Sequence, residues 1–155
     1  MNKDVQLAYS MALRMLTRRE HCAVELQNKL MQRGCDEIAI DSALELLKHY
    51  GYLSEARYAE AFLRARMKKG EMPWMAAEKA RRKGVEEAAL QVAVEEAEGE
   101  YDRIQACRDV LKRHDPQGLH RKDEKAWQRQ ARYLRNKGFD ANTILRALNA
   151  GRDED

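Results

Sequence analysis

Residues 34–44 read GCDEIAIDSAL, residues 84–94 read GVEEAALQVAV, and residues 138–148 read GFDANTILRAL. Aligned, the three share one pattern: glycine, an apolar residue, an acid, three variable positions, Ile or Leu, two variable positions, Ala, then an aliphatic residue. Glycine most easily takes the left-handed conformation that closes a helix. The acid stands at or near the N-cap of the next helix. The apolar residue before it lies five positions ahead of the Ile or Leu, which is the spacing of a hydrophobic staple. Asp36 and Asp140 are good caps by residue type, and Glu86 is a weak one. A single match could be a chance helix ending. Three in register, with glycines 50 and 54 positions apart, mean a repeat architecture.

Upstream of each turn there is room for two more helices, and helical periodicity covers nearly the whole chain. Ala8, Met11, Ala12 and Met15 mark a first helix, and Leu26 and Leu30 a second that Gly34 stops. Thr17 and Glu20 have the spacing of a capping box ahead of that second helix. In the last third, Tyr101, Ile104, Cys107 and Leu111 form one apolar stripe. Asp115-Pro116-Gln117-Gly118 breaks the chain, and Trp127, Ala131 and Leu134 form the next stripe. The expected fold is all-α, a single helical domain over 1–155 built as an elongated, curved array of three tandem three-helix repeats. Their bounds are about 5–53, 54–98 and 99–150.

The stretch from Tyr50 to Gly84 sets an aromatic face beside a cationic one. Ser54 is a good N-cap and Glu55 suits the first turn of the helix it opens. Tyr58, Ala59, Phe62 and Arg66 then recur at helical spacing, which predicts a buried Phe62. Between 64 and 83 there are eight Lys or Arg against two Glu, and between 85 and 102 there are seven acids and no cation. From 103 to 137 the balance returns, with eleven cations against four acids. Segregation on this scale says more about partners than the net charge of +3 does.

No stretch is apolar for the ~18 residues that a membrane span needs, and the run from Val5 to Leu16 lacks a clear cleavage site. Cys22, Cys35 and Cys107 are odd in number and share no CxxC spacing. That pattern predicts three reduced, mostly buried thiols in a cytoplasmic protein. His21, His49, His114 and His120 are scattered, with no nucleophile beside a base and no glycine-rich phosphate loop. The acidic run Glu95, Glu96, Glu98, Glu100 and Asp102 lacks the ligand spacing of a calcium loop and reads as a solvated face. The residues support no catalysis, cofactor or metal.

The basic segments carry the functional signal. Lys79, Arg81, Arg82 and Lys83 crowd the end of one middle-repeat helix, and Arg129, Arg132, Arg135 and Lys137 occupy the equivalent helix of the third repeat. Lys29 and Arg33 of the first repeat fit the helix dipole alone. In the other two repeats the cations are too many for the dipole and indicate a binding face. Adding the cations that precede them, the candidate partner-binding set is Arg57, Arg64, Arg66, Lys68, Lys69, Lys79, Arg81, Arg82, Lys83, Arg129, Arg132, Arg135 and Lys137. A DNA-reading helix-turn-helix would lead with the N-terminus of each following helix. Those begin Asp36-Glu37, Glu86-Glu87 and Asp140, which would repel phosphates, so nucleic-acid contact is expected from the preceding, basic helix.

The chain resembles the RecX family, the bacterial modulators of RecA recombinase. The residues that carry the resemblance are Leu16-Thr17-Arg18-Arg19-Glu20-His21, Glu25-Leu26, Lys29-Leu30 and Gly34. They continue in Gly51-Tyr52-Leu53, Arg57-Tyr58-Ala59, Phe62-Leu63, Arg66, Lys69-Gly70, Pro73 and Lys83-Gly84-Val85. Together they cover roughly residues 5–148, and the third repeat matches mainly by layout. The chain departs at Gly70-Glu71-Met72-Pro73, where the family has a Gly-Tyr-Gly-Pro type turn. It departs again at Trp74-Met75-Ala76-Ala77, where a basic, isoleucine-containing helix start is usual, so contacts through that start are expected to differ. The resemblance implies a non-enzymatic regulator of homologous recombination, DNA repair and the SOS response. Such a protein binds RecA filaments on single- or double-stranded DNA and limits their activities, as a cytoplasmic monomer without membrane contact. The alternatives from the residues alone are a freestanding nucleic-acid-binding module and a helical protein-interaction scaffold.

Overall fold

Gly34, Gly84 and Gly138 hold φ of +86°, +90° and +101°, and each closes a helix in the same way. The N–H of the residue after the glycine donates to the carbonyl five residues back: Cys35 to Leu30, Val85 to Ala80, Phe139 to Leu134. The glycine N–H donates to the carbonyl three residues back, so two orphan carbonyls are satisfied at each turn. In this computed structural model, which describes residues 2–99 and 101–149, the repeated pattern is a Schellman turn made three times. Gly51 and Gly70, at φ +82° and +96°, make the same pair of bonds. Glu100 of the acidic run and Ala150 at the end of the third expected repeat lie outside the described residues.

Between these turns run α1 (Lys3–Leu16), α2 (Ala23–Gln32), α3 (Glu37–His49), α4 (Glu55–Lys68) and α5 (Pro73–Arg82). They are followed by α6 (Glu87–Gly99), α7 (Arg103–His114), a short 3₁₀ turn at Leu119–Arg121, α8 (Glu124–Asn136) and α9 (Ala141–Leu148). No strand occurs among the described residues. Two compact units result. One takes the chain through Leu63 together with Ala77–Ala93, and the other takes Arg64–Ala76 and the chain from Val94 onward.

In the first unit α1, α2 and α3 pack on one another around Ala8, Ala12, Leu26, Leu30, Ile40, Ala43 and Leu47, all fully buried. Each buried Leu or Ile contributes roughly 1.5–3 kcal/mol. Ser54 caps α4 as expected, its Oγ accepting from Arg57 N at 3.1 Å. Glu55 does more than complement its own helix dipole. Its carboxylate accepts from Ala23 N at the start of α2 (3.1 Å) and from Glu86 N just before α6 (3.2 Å). Three helix N-termini, each with unpaired amides and a partial positive charge, therefore share one anion. Gly84 serves this unit twice, because a Cβ there would also stand 2.9 Å from Val24 Cβ.

In the second unit α7, α8 and α9 pack on one another around Cys107, Val110, Leu111, Leu134, Ile144, Ala147 and Leu148, with Met72 and Phe139. A buried pair not evident in the sequence holds the break after α7. Asp115 accepts from the amides of Leu119 and His120 at 3.0 Å each and from His120 Nδ1 at 2.6 Å. Burial alone would push the Asp115 carboxyl up. These bonds outweigh it and hold the group below its ordinary value.

Several local expectations are corrected. Thr17 is the C-cap of α1 and its hydroxyl donates to Arg14 O, so it forms no capping box. A turn and an irregular stretch intervene before α2, whose N-cap is Cys22, and Glu20 pairs with Arg57 instead. Asp36 stands at the N-cap of α3 but accepts no capping bond, whereas Asp140 accepts from Thr143 N at 3.3 Å. Phe62 is half-buried, its ring 5.9 Å from that of Tyr58, and Tyr58 one turn earlier takes the buried place. Tyr101 precedes α7 and its hydroxyl reaches Met72 Sδ. Trp127 and Ala131 lie at the edge of the α8 stripe, whose buried members are Ala126, Gln130 and Leu134. Gln130 is accommodated because its amide oxygen meets His114 Nδ1 at 2.7 Å.

Candidate functional site

The thirteen candidate cations separate by what already neutralises them. Arg57 is spent on the fold: Nε reaches Glu20 Oε1 at 2.9 Å, and Nη2 donates to the carbonyls of Gly51 (2.8 Å) and Tyr52 (3.1 Å). Arg66 forks onto Glu71, at 2.7 Å and 3.2 Å. The buried Glu71 carboxylate is thereby paired in the way burial demands. Arg81 forks onto Glu87 at 2.8 and 2.9 Å and also meets Glu78. The bond to Glu87 raises the Arg81 guanidinium and lowers the Glu87 carboxyl from their ordinary values. Arg64 and Lys79 are also engaged with neighbours.

The others face solvent with less restraint. In the first unit Arg82 and Lys83 are exposed at the C-terminal end of α5. In the second, Lys68 and Lys69 are exposed at the end of α4, and the Lys68 carbonyl accepts from Arg113 of α7 at 3.3 Å. That bond adds Arg113, which the candidate set omits, to the cations there. Gly70 permits the approach, since its missing Cβ would fall 2.5 Å from Val110 Cγ2.

An unneutralised row of cations runs along α8. Arg129, Arg132 and Arg135, spaced three apart, follow the side of the helix turned away from Ala126, Gln130 and Leu134. All three are exposed, and none meets a carboxylate among the described residues. Lys125 lies on the same side, one turn before Arg129. Lys137 is half-buried, with Nζ 5.6 Å from the Tyr133 ring centroid, within cation–π range. Tyr133 itself stacks on His114 at 3.6 Å. Close by, the Trp74 indole donates to Gly138 O at 3.0 Å and leaves the ring half exposed.

Lys29 and Arg33, assigned by sequence to the helix dipole, share a cleft with Arg18, Arg19 and His21. Their separation in sequence hides this, and the only signal is the paired arginine at 18 and 19. Among the described residues no three His, Cys, Asp or Glu side chains are grouped to hold a metal ion. No helix there is long and apolar enough to cross a membrane. Cys22 and Cys107 are buried, Cys35 is half-buried, and all three are free thiols.

Comparison with known proteins identifies a family. A family model described as RecX, first three-helix domain, matches residues 8–47, and one described as RecX, third three-helix domain, matches residues 100–148. Regulatory protein RecX of Halorhodospira halophila is 38% identical over 144 residues, covering 93% of this chain and 87% of that protein. Regulatory protein RecX of Acidithiobacillus ferrooxidans is 34% identical over 149 residues, covering 94% and 91%. The crystal structure of RecX from Lactobacillus salivarius superposes with a TM-score of 0.77 at 17% identity, over 97% of this chain and 99% of that one. At that identity the likeness shows the fold alone.

Proposed function

The chain belongs to the RecX family of regulatory proteins, and on that premise we propose that it binds RecA filaments on DNA and restrains their activities. The observation that supports this reading is the α8 surface. Three arginines stand in a row without counter-charge, opposite a buried stripe that already fixes the helix. Guanidinium groups held this way suit the carboxylates and phosphates that a nucleoprotein filament offers together. Lys68 and Lys69 in the second unit, and Arg82 and Lys83 in the first, are the further exposed cations of the candidate set. Arg57, Arg66 and Arg81 are engaged in ion pairs within their own units. The protein would work as a monomer in the cytoplasm without cofactor, its three repeats at about 5–53, 54–98 and 99–150 being the building blocks.

Co-sedimentation tests the reading. The protein is spun with RecA in the presence and absence of single-stranded DNA and nucleotide, and with DNA alone. Retention that requires the assembled filament is the expected result. Equal, salt-steep binding to bare DNA would replace the reading with a freestanding nucleic-acid module.

A further inference from the structure

A cleft of about 480 Å³ opens in the first unit, beside the end of α1 and along α2. Arg18, Arg19, His21, Lys29, Gln32 and Arg33 line it over the side chain of Met15, and no acid is among the lining residues. Glu25, just outside, is shared: Arg19 forks onto it at 2.6 and 3.1 Å, and Lys29 Nζ lies 3.8 Å away. One carboxylate therefore serves two cations. Arg18 and Arg33 are exposed and meet no carboxylate among the described residues.

The buried His21 sets the inner edge. Its Nδ1 lies 3.0 Å from Arg19 O and its Nε2 lies 3.1 Å from Lys29 Nζ. Donation to the carbonyl leaves Nε2 as an acceptor, so a neutral ring steadies the ammonium at the cleft. Burial, which lowers the His21 pKa, favours that neutral state. The guanidinium and ammonium groups can only donate. Their surplus over Glu25 calls for an anion with several acceptor oxygens.

We propose that this cleft binds a phosphate group, carried either by a nucleic-acid strand or by a free nucleotide. Arginine forks match phosphate geometry. The cavity falls within the roughly 300–1,000 Å³ of small-molecule sites, more room than a bare ion needs. The proposal goes beyond the filament reading and concerns different residues, so either can fail without the other.

The test follows the side-chain amide of Gln32 and the Nε–H of Arg18 and Arg33 by NMR in the full chain. Pyrophosphate, ATP and a short oligothymidylate are titrated separately, with polyglutamate as an acidic-protein probe. Saturable shifts at these three groups with the phosphate probes are expected. Alongside, the salt dependence of oligothymidylate binding is compared between the parent and Arg18→Gln/Arg33→Gln. Loss of two phosphate contacts should make the log–log slope shallower by about 1.4, at about 0.7 per contact for single strands. Shifts with the phosphate probes and a shallower slope support a strand. Saturation by ATP with an unchanged slope supports the phosphate site and assigns it to a free nucleotide. No response to any phosphate probe, or a response to polyglutamate alone, overturns the proposal. The parent titration needs no variant, so the outcome stands even if the double variant folds poorly.

Discussion

Asp115 and His120 show how a single residue can be misread when its partner is a turn away. By sequence, Asp115 belongs to a chain break and His120 to a scatter of histidines. Folded, both are buried and the carboxylate collects three donors. Asp115→Asn removes the charge and some acceptor capacity, and should cost about 1–3 kcal/mol in denaturant unfolding. The pH dependence has a definite sign. The folded carboxyl is held below its ordinary 3.8, so its contribution is fully present above that value and is lost as pH falls through the lower folded one. Acid titration of stability should show the parent losing more than the Asn variant below about pH 3.8. Parallel acid profiles would mean that the pair does not stabilise the ionised form.

At the scale of elements, the helix joints were legible and the ion pairs were not. A left-handed cap narrows the choice to glycine at one position, and the staple fixes the residues on either side, so Gly34, Gly84 and Gly138 could be read in order. Phe62 failed because periodicity names a face without its depth, and Tyr58 fills the buried place. The forks of Arg66 on Glu71 and of Arg81 on Glu87 each cross a turn, where helical spacing rules say nothing. Two joints give direct tests. Gly84→Ala should cost about 1–2 kcal/mol from the left-handed backbone, with crowding of Val24 adding roughly 1–3 kcal/mol. Glu55→Ala strips the acceptor from the amides of Ala23 and Glu86 and should cost about 1–3 kcal/mol. Thermal or urea unfolding measures both, and an unchanged midpoint in either would remove that joint from the account.

For the whole molecule, charge is the property that ties fold to function. Counting cations along the sequence located the basic segments, but could not distinguish a guanidinium already paired from one left over. The structure makes that distinction at Arg57, Arg66 and Arg81, and the binding surface proposed above therefore centres on α8. Reversing charge at Arg81 would set a new acid against Glu78 and Glu87, so a failure there would confuse folding with binding. Arg129→Glu/Arg132→Glu/Arg135→Glu avoids this, because surface changes of this kind move stability by about 0.5 kcal/mol each. The decisive measurement is inhibition of RecA-promoted strand exchange by the parent and by this triple variant, at matched melting temperature. The account predicts that the parent inhibits and that the variant requires on the order of tenfold more protein or greater. Equal inhibition by a folded triple variant would contradict it.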